Sequence, residues 1–240
     1  MASLGRTVGY MLLPVFLTTG CLSNSDEKGE VDPRLEKSSF TTNSYFTSCL
    51  LGGTLGAFIG FTASNDRAAG ALIGAASGCA VGMGSNLIFD SIRKDYKSKE
   101  DQLNATQKKL QAENDKLTNI VNLAKDIQKQ QREELSKIDK AEMDSINRQK
   151  EVKKLIADAD ANIDSLRKNL EASQQIETDY IQVREKIVGK DNLTDAEKEA
   201  LANLDKSIAK TREQNAMLKS QIESMVAQRN SMHNDLIVAS

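Results

Sequence analysis

The sequence predicts an all-α protein in which a glycine-zipper transmembrane helical hairpin precedes a long coiled coil that folds back as an antiparallel helical hairpin. Three observations predict this fold class. Nine of the 14 glycines lie within residues 52–84. Residues 38–89 carry only two charged side chains, Asp66 and Arg67. Residues 85–188 contain neither Gly nor Pro, so no residue that breaks helices interrupts them.

The composition excludes several functional classes. The 32 basic and 34 acidic residues nearly cancel, so no net positive field attracts nucleic acid. A single histidine, His233, rules out His-based catalytic triads and His-rich metal sites. Three cysteines in 240 residues do not make a disulfide scaffold. We therefore expect no enzyme activity, no metal and no cofactor.

Residues 1–20 have the pattern of a secretory signal peptide. Arg6 supplies the positive start, residues 8–17 form an apolar stretch too short to span a bilayer, and small residues precede Cys21. The run from Leu17 to Cys21 resembles the lipobox of bacterial lipoproteins, although Leu17 stands one place further from the cysteine than usual. The resemblance implies lipidation of Cys21, and Leu22 after it points to the outer membrane. The alternative is a plain signal peptide with a chance cysteine. Residues 21–42 are predicted to be the lipidated cysteine and a flexible polar tether.

Residues 43–89 are predicted to form the membrane hairpin. Segments 43–64 and 68–89 each contain 22 residues free of full charge, enough to cross a hydrocarbon core of ~30 Å, and the polar residues 65–67 turn the chain. Glycines repeat every four residues on each arm, which gives each helix a smooth stripe that permits close packing in lipid. These predicted packing residues are Gly52, Gly56, Gly60, Gly70, Gly74, Gly78 and Gly82. The alternative is a Gly/Ala linker or a glycine-rich core outside the membrane.

Two glycine-zipper segments after a lipobox-like cysteine resemble the glycine-zipper two-transmembrane lipoproteins of Gram-negative envelopes. The hairpin is also similar to that of the conjugative surface-exclusion lipoproteins, which assemble into outer-membrane rings. The resemblance covers about residues 12–89 and implies an architecture rather than an activity.

Residues 90–240 are predicted to be a coiled-coil domain, with a long helix over 90–188, a turn over 189–194 and a second helix over 195–237. Gly189 is placed to end the first helix, and Thr194 with Glu197 forms a capping box for the second. The second helix should fold back on about residues 147–188. Residues 91–143 then need another copy, another protein or a kinked-back segment as partner, and a kink is predicted near 128–132.

These features together predict a non-catalytic, membrane-anchored envelope lipoprotein that acts as an oligomeric scaffold or spacer. We expect it in the outer membrane of a Gram-negative bacterium, with its coiled coil in the periplasm. The expected partners are membrane lipid, further copies of the chain and an envelope protein of a secretion or conjugation apparatus. The alternative is a pore-forming helical toxin or translocator that inserts the glycine-rich hairpin into a target membrane.

Overall fold

The computed structural model describes residues 29–40, 80–190 and 192–238, and every regular element in these ranges is a helix. The all-α prediction is confirmed. None of the helices in these ranges combines the length and the apolar character that crossing a membrane requires. Most of the predicted glycine-zipper hairpin, residues 41–79, lies outside the described residues. The helices are α1 (Pro33–Ser38), α2 (Ala80–Asp95), α3 (Lys99–Lys140), α4 (Ser145–Val188) and α5 (Asp195–Val238).

Helices α4 and α5 form the antiparallel pair that the sequence predicts. Arg184 Nη2 lies 3.0 Å from Asp205 Oδ2, and Arg229 Nη2 lies 2.8 Å from Asp160 Oδ2. The two ion pairs are 24 residues apart on both helices, so one antiparallel register is kept along most of their length. The buried face between the helices contains Leu166, Leu204, Leu218 and Met225.

The turn between α4 and α5 uses the residues that the sequence singles out. Gly189 has φ 63° and ψ −145°, a conformation essentially restricted to glycine. The Thr194 N–H donates to Glu197 Oε2 at 2.8 Å, and the Glu197 N–H donates to Thr194 Oγ1 at 3.3 Å. This reciprocal pair is a capping box, and it satisfies backbone donors that the helix itself leaves unpaired.

The predicted single helix over residues 90–188 is interrupted twice, at 96–98 and at 141–144. Helix α3 runs without a break through residues 128–132, where a kink was expected, and the chain reverses after it instead. The prediction of one continuous helix is therefore wrong. The physical reason is burial: α3 carries an apolar stripe that a single rod would leave in water, and in the bundle this stripe is at most 1% exposed. The stripe consists of Leu103, Leu110, Leu117 and Ile120.

After each of the two interruptions, at 96–98 and 141–144, a side-chain cap begins the next helix, and neither interruption contains glycine or proline. Ser98 Oγ accepts the Asp101 N–H at 3.1 Å and begins α3. Asp144 Oδ1 accepts the Asn147 N–H at 2.9 Å and begins α4. Serine and aspartate are favoured at this position because their oxygens satisfy the free N–H groups of a first turn.

Helix α3 completes an up-down-up bundle by packing parallel to α5. Thr211 Oγ1 donates to Asn114 Oδ1 at 2.7 Å, and Gln128 Nε2 donates to Ser224 Oγ at 2.8 Å. Residues 99–140 thus have an intramolecular partner, as in the kinked-back alternative.

Two further segments cover the bundle. Residues 29–40, which we call the strap, are laid along α3 and α4, whereas the sequence predicts a flexible tether there. Helix α2 crosses the predicted boundary between membrane hairpin and coiled coil at residues 89–90 and packs on α4. Leu35 of the strap and Ile92 of α2 are fully buried, because both join the apolar core of the bundle.

Candidate functional site: an anchor groove between α3 and α4

Side chains of α4 hold the backbone of the strap. The Glu30 N–H donates to Asp158 Oδ1 at 2.8 Å, the Asp32 N–H to Asn162 Oδ1 at 2.7 Å, and the Phe40 N–H to Asn169 Oδ1 at 2.7 Å. These three α4 residues follow one another at steps of four and seven, so they share one face of the helix. The row of acceptors fixes the strap parallel to α4. We call the groove that holds the strap and α2 the anchor groove.

Apolar and cationic contacts seat the strap side chains. Leu35 is fully buried and Phe40 is 4% exposed. The Lys116 ammonium of α3 lies 4.7 Å from the centre of the Phe40 ring, a cation–π contact. Arg34 Nη2 donates to Gln130 Oε1 of α3 at 2.7 Å, so the strap bridges both helices of the groove.

The strap begins at a close backbone approach. A Cβ atom placed on Gly29 would lie 1.9 Å from the Ala157 carbonyl oxygen of α4, a distance that no side chain tolerates. Glycine is therefore required at Gly29 for the strap to enter the groove at this depth.

Helix α2 docks further along α4 through a polar cluster. Ser85 Oγ donates to Gln182 Oε1 at 2.6 Å, while Lys186 Nζ donates to Ser85 Oγ at 2.7 Å and to Asn86 Oδ1 at 2.6 Å. Ile88, one turn beyond Ser85, is 6% exposed. The contact is thus both apolar and specifically hydrogen-bonded.

A buried carboxylate of α4 contacts α2 next to Gly84, a residue with a positive φ angle. Gly84 has φ 65°, and the following Ser85 N–H donates to the Asp179 carboxylate. Asp179 is 2% exposed, and among the described residues its Oδ2 has no hydrogen-bond partner. Burial raises the pKa of Asp179 above its ordinary value, although the hydrogen bonds from Gln175 and Ser85 and the charge of Lys186 act in the opposite direction.

The strap and α2 occupy the same face of α4. Asp158, Asp179 and Lys186 are separated by 21 and 7 residues, which are multiples of the coiled-coil heptad. Asn169 and Asp179, which bind the strap end and the α2 backbone, are ten residues apart, or about 15 Å along the helix axis. The described residues on either side of the gap, Phe40 and Ser85, are therefore bound to nearby positions of α4.

A buried acid of α3 lies close to Lys116, the residue that contacts Phe40 of the strap. Glu113 of α3 is 5% exposed, and burial raises its pKa to about 7, with the charge of Lys116 as a smaller opposing effect. Burial also lowers the pKa of Lys116. The pKa of the neighbouring Tyr180 is raised by burial and by the charges of Glu113 and Asp179, so this phenol remains neutral.

The sequence-predicted site residues fall mostly elsewhere. Cys21 and the six glycines from Gly52 to Gly78 lie outside the described residues, and Gly82 lies in α2. Sequence reasoning missed the groove residues. The available signal was the seven-residue spacing of Asn162 and Asn169 next to an apolar seam, where a buried amide needs a partner.

In the part of the chain that the structure describes, no group of three or more His, Cys, Asp or Glu side chains is placed to hold a metal ion. Comparison with protein-family models finds no match, and neither the curated proteins nor the solved structures include a significant relative.

Proposed function

We propose that this chain is a non-catalytic lipoprotein of the bacterial cell envelope, anchored in the membrane by Cys21 and by a glycine-zipper hairpin within residues 43–89. The helical bundle is its periplasmic scaffold domain, and the glycine stripes associate copies into an oligomer. An envelope protein of a secretion or conjugation apparatus is the partner that such a scaffold would position.

The observation that carries this proposal is the anchor groove. It holds Phe40 and Ser85, which flank the glycine-rich segment, on one face of α4, about 15 Å apart along its axis. A two-helix hairpin needs its ends close together and on one side, so this placement supports the proposed insertion. Separation of Phe40 or Ser85 from the bundle would break hydrogen bonds to α4.

One observation favours the second candidate, a pore-forming toxin or translocator. Residues 84–89, the last part of the second predicted membrane arm, are packed on α4 in this structure, with Ser85 and Ile88 buried. Without residues 84–89, the second predicted arm has 16 uncharged residues, 68–83, which is fewer than the ~20 that span a bilayer. The packing of residues 84–89 on α4 is consistent with a hairpin that inserts into a membrane only after a trigger releases α2.

Carbonate extraction and lipid labelling test the leading proposal. The full-length protein should stay in the membrane pellet at high pH and incorporate radioactive palmitate. Cys21→Ser should abolish the label, whereas the matched control Cys79→Ser should keep it. Release of the intact protein by carbonate would overturn the proposal, and recovery as a monomer in culture medium would favour the toxin.

Oligomerisation through the glycine stripe has its own pair of variants. Gly74→Leu places a large side chain on the stripe and should remove crosslinked oligomers. Ala75→Leu changes the adjacent position off the stripe and should leave them. Equal crosslinking in both variants would contradict packing through the glycines.

A further inference from the structure

We infer that the bundle lies on its side against the membrane, with the anchor groove facing the lipid and α5 facing away. This inference rests on the proposed membrane hairpin and adds to it the surface that contacts lipid headgroups. A spacer whose coiled coil stands upright on the membrane is the contrasting arrangement.

The strap ends far from either tip of α4. Helix α4 has 44 residues and is about 66 Å long. The strap ends at Asn169, from which the helix continues for about 36 Å toward Ser145 and about 29 Å toward Val188. The exit point is thus near the middle of the side of the bundle and far from either tip.

The connection between the strap and the first predicted membrane segment is short. The first predicted membrane segment starts at Asn43, three residues after Phe40, and three extended residues reach at most about 11 Å. An upright bundle would then push one tip roughly 20 Å into the bilayer, given the helix lengths on either side of Asn169. Both tips carry charged residues, among them Lys137, Lys140 and Lys186, and burying such charges in hydrocarbon is costly.

The start of the strap lies on the same face of the bundle as its end. The strap enters the groove at Gly29, eight residues after Cys21, so a lipid on Cys21 stays within about 28 Å of Ala157. Helix α5 binds a different face of α4, through ion pairs at Asp160 and Arg184. Because the strap and α2 both lie in the groove, the lipid attached through them lies on the groove side, and α5 is directed away from the membrane.

Exposed side chains on the two faces permit a direct test. Leu87 of α2 is 55% exposed on the groove side, and Met217 of α5 is 40% exposed on the opposite side. The chain contains no tryptophan, so Leu87→Trp and Met217→Trp each place a single fluorophore on one face. Both positions are exposed, and the helix content measured by circular dichroism should match the unchanged protein. Lys37→Trp in the strap and Lys206→Trp on α5 form a second pair, since both lysines are also exposed.

The experiment reconstitutes each variant into phosphatidylethanolamine–phosphatidylglycerol vesicles that contain a lipid with a nitroxide quencher on its headgroup. We expect the groove-side tryptophans to lose most of their emission and the α5 tryptophans to keep theirs. If the tryptophans on both faces lose emission equally, the orientation is overturned while the anchor stands. The same conclusion follows if protein that floats with the vesicles shows no emission loss from its groove-side tryptophans. Protein that fails to float with the vesicles would overturn the anchor and the orientation together.

Discussion

Buried polar side chains determine which helices of this bundle pair and in which register. Asn114 is fully buried in α3, donates to the Ser207 carbonyl of α5 at 2.9 Å and accepts from Thr211 at 2.7 Å. Gln214, one turn after Thr211, adds a bond to the Asn114 carbonyl at 3.2 Å. A shift of α5 by one turn would leave these groups unpaired in the core, at a cost of about 1–3 kcal/mol for each. Polar contacts of this kind specify a register that leucine alone does not.

Glu113 makes the stability of the bundle depend on pH. Its pKa is raised from 4.5 to about 7 by burial, so the folded state binds a proton more tightly than the unfolded state. The free energy of unfolding therefore decreases as pH rises from about 4.5 to about 7, and the loss is complete above pH 7. Glu113→Gln, which removes the charge, should raise the free energy of unfolding at pH 8 by up to roughly 3 kcal/mol and change it little at pH 4.5.

Urea denaturation followed by circular dichroism at the two pH values measures this difference. The groups that face Glu113 are Lys116 of α3 and Tyr180 of α4. Glu199→Gln, at an exposed position of α5, is the matched control and should be neutral at both values. A stabilisation by Glu113→Gln that is the same at pH 4.5 and pH 8 would contradict an ionised buried carboxylate as its cause.

At the scale of elements, the strap depends on one amide more than on its own short helix. Helix α1 has six residues, too few to be stable alone. Asn169 accepts both the Phe40 N–H and the Ser39 hydroxyl, and its own amide is tied to the Ser165 carbonyl at 2.8 Å. The end of the strap is therefore held by a side chain that is itself fixed in place.

Asn169→Leu should release the end of the strap and leave the three long helices folded. The two donors of the strap would lose a buried acceptor, at a cost of about 1–3 kcal/mol, so hydrogen exchange at the Phe40 amide should accelerate roughly 10- to 100-fold. Amides in α3 and α5 should keep their protection. Asn104→Leu, on the exposed face of α3, is the control and should leave the strap protected. Unchanged exchange in residues 30–40 of Asn169→Leu would show that the apolar contacts of Leu35 and Phe40 are sufficient.

At the scale of the whole molecule, three helices of similar length stand side by side instead of one long rod. Helices α3, α4 and α5 have 42, 44 and 44 residues. The chain reverses at both ends of α4, so the first and third helices are parallel neighbours. Such a bundle buries an apolar stripe on every helix within one chain.

Zero-length crosslinking measures the parallel pairing of α3 and α5. Lys210 Nζ of α5 lies 3.7 Å from Asp115 Oδ1 of α3, so a carbodiimide should join these residues in a single chain. Lys198 and Asp195, 2.9 Å apart within the first turn of α5, report the efficiency of the reagent. Mixing isotopically light and heavy protein separates bonds within a chain from bonds between copies. If the Asp115–Lys210 product appears only between copies, α3 pairs with another molecule and the bundle is wrong.

Sequence reasoning was most successful where local and periodic signals agree. The α4–α5 pair was predictable because apolar side chains recur at steps of three and four through most of residues 201–236, while Gly189 and the Thr194–Glu197 capping box indicate the turn. The chain reversal at residues 141–144 was not predictable from the sequence, since it depends on the Asp144 cap and on the core that forms when α3 folds back. The strap was missed because Leu35 and Phe40 are isolated apolar residues in a polar segment, and only the complete groove makes their burial favourable. The prediction at Cys21 and at the glycines from Gly52 to Gly78 stays a prediction.

The distance in sequence between the strap and its acceptors sets the order in which the molecule can be completed. Residues 30, 32 and 40 bind side chains that are 128 to 130 positions later in the chain. A ribosome adds about 5–20 residues per second, so the N-terminal segments wait roughly 6–26 seconds before their binding surface has been made. Throughout that interval the glycine-rich stretch after Phe40 has no groove to restrain its ends. The same delay would give a membrane, or a chaperone, the first opportunity to capture it.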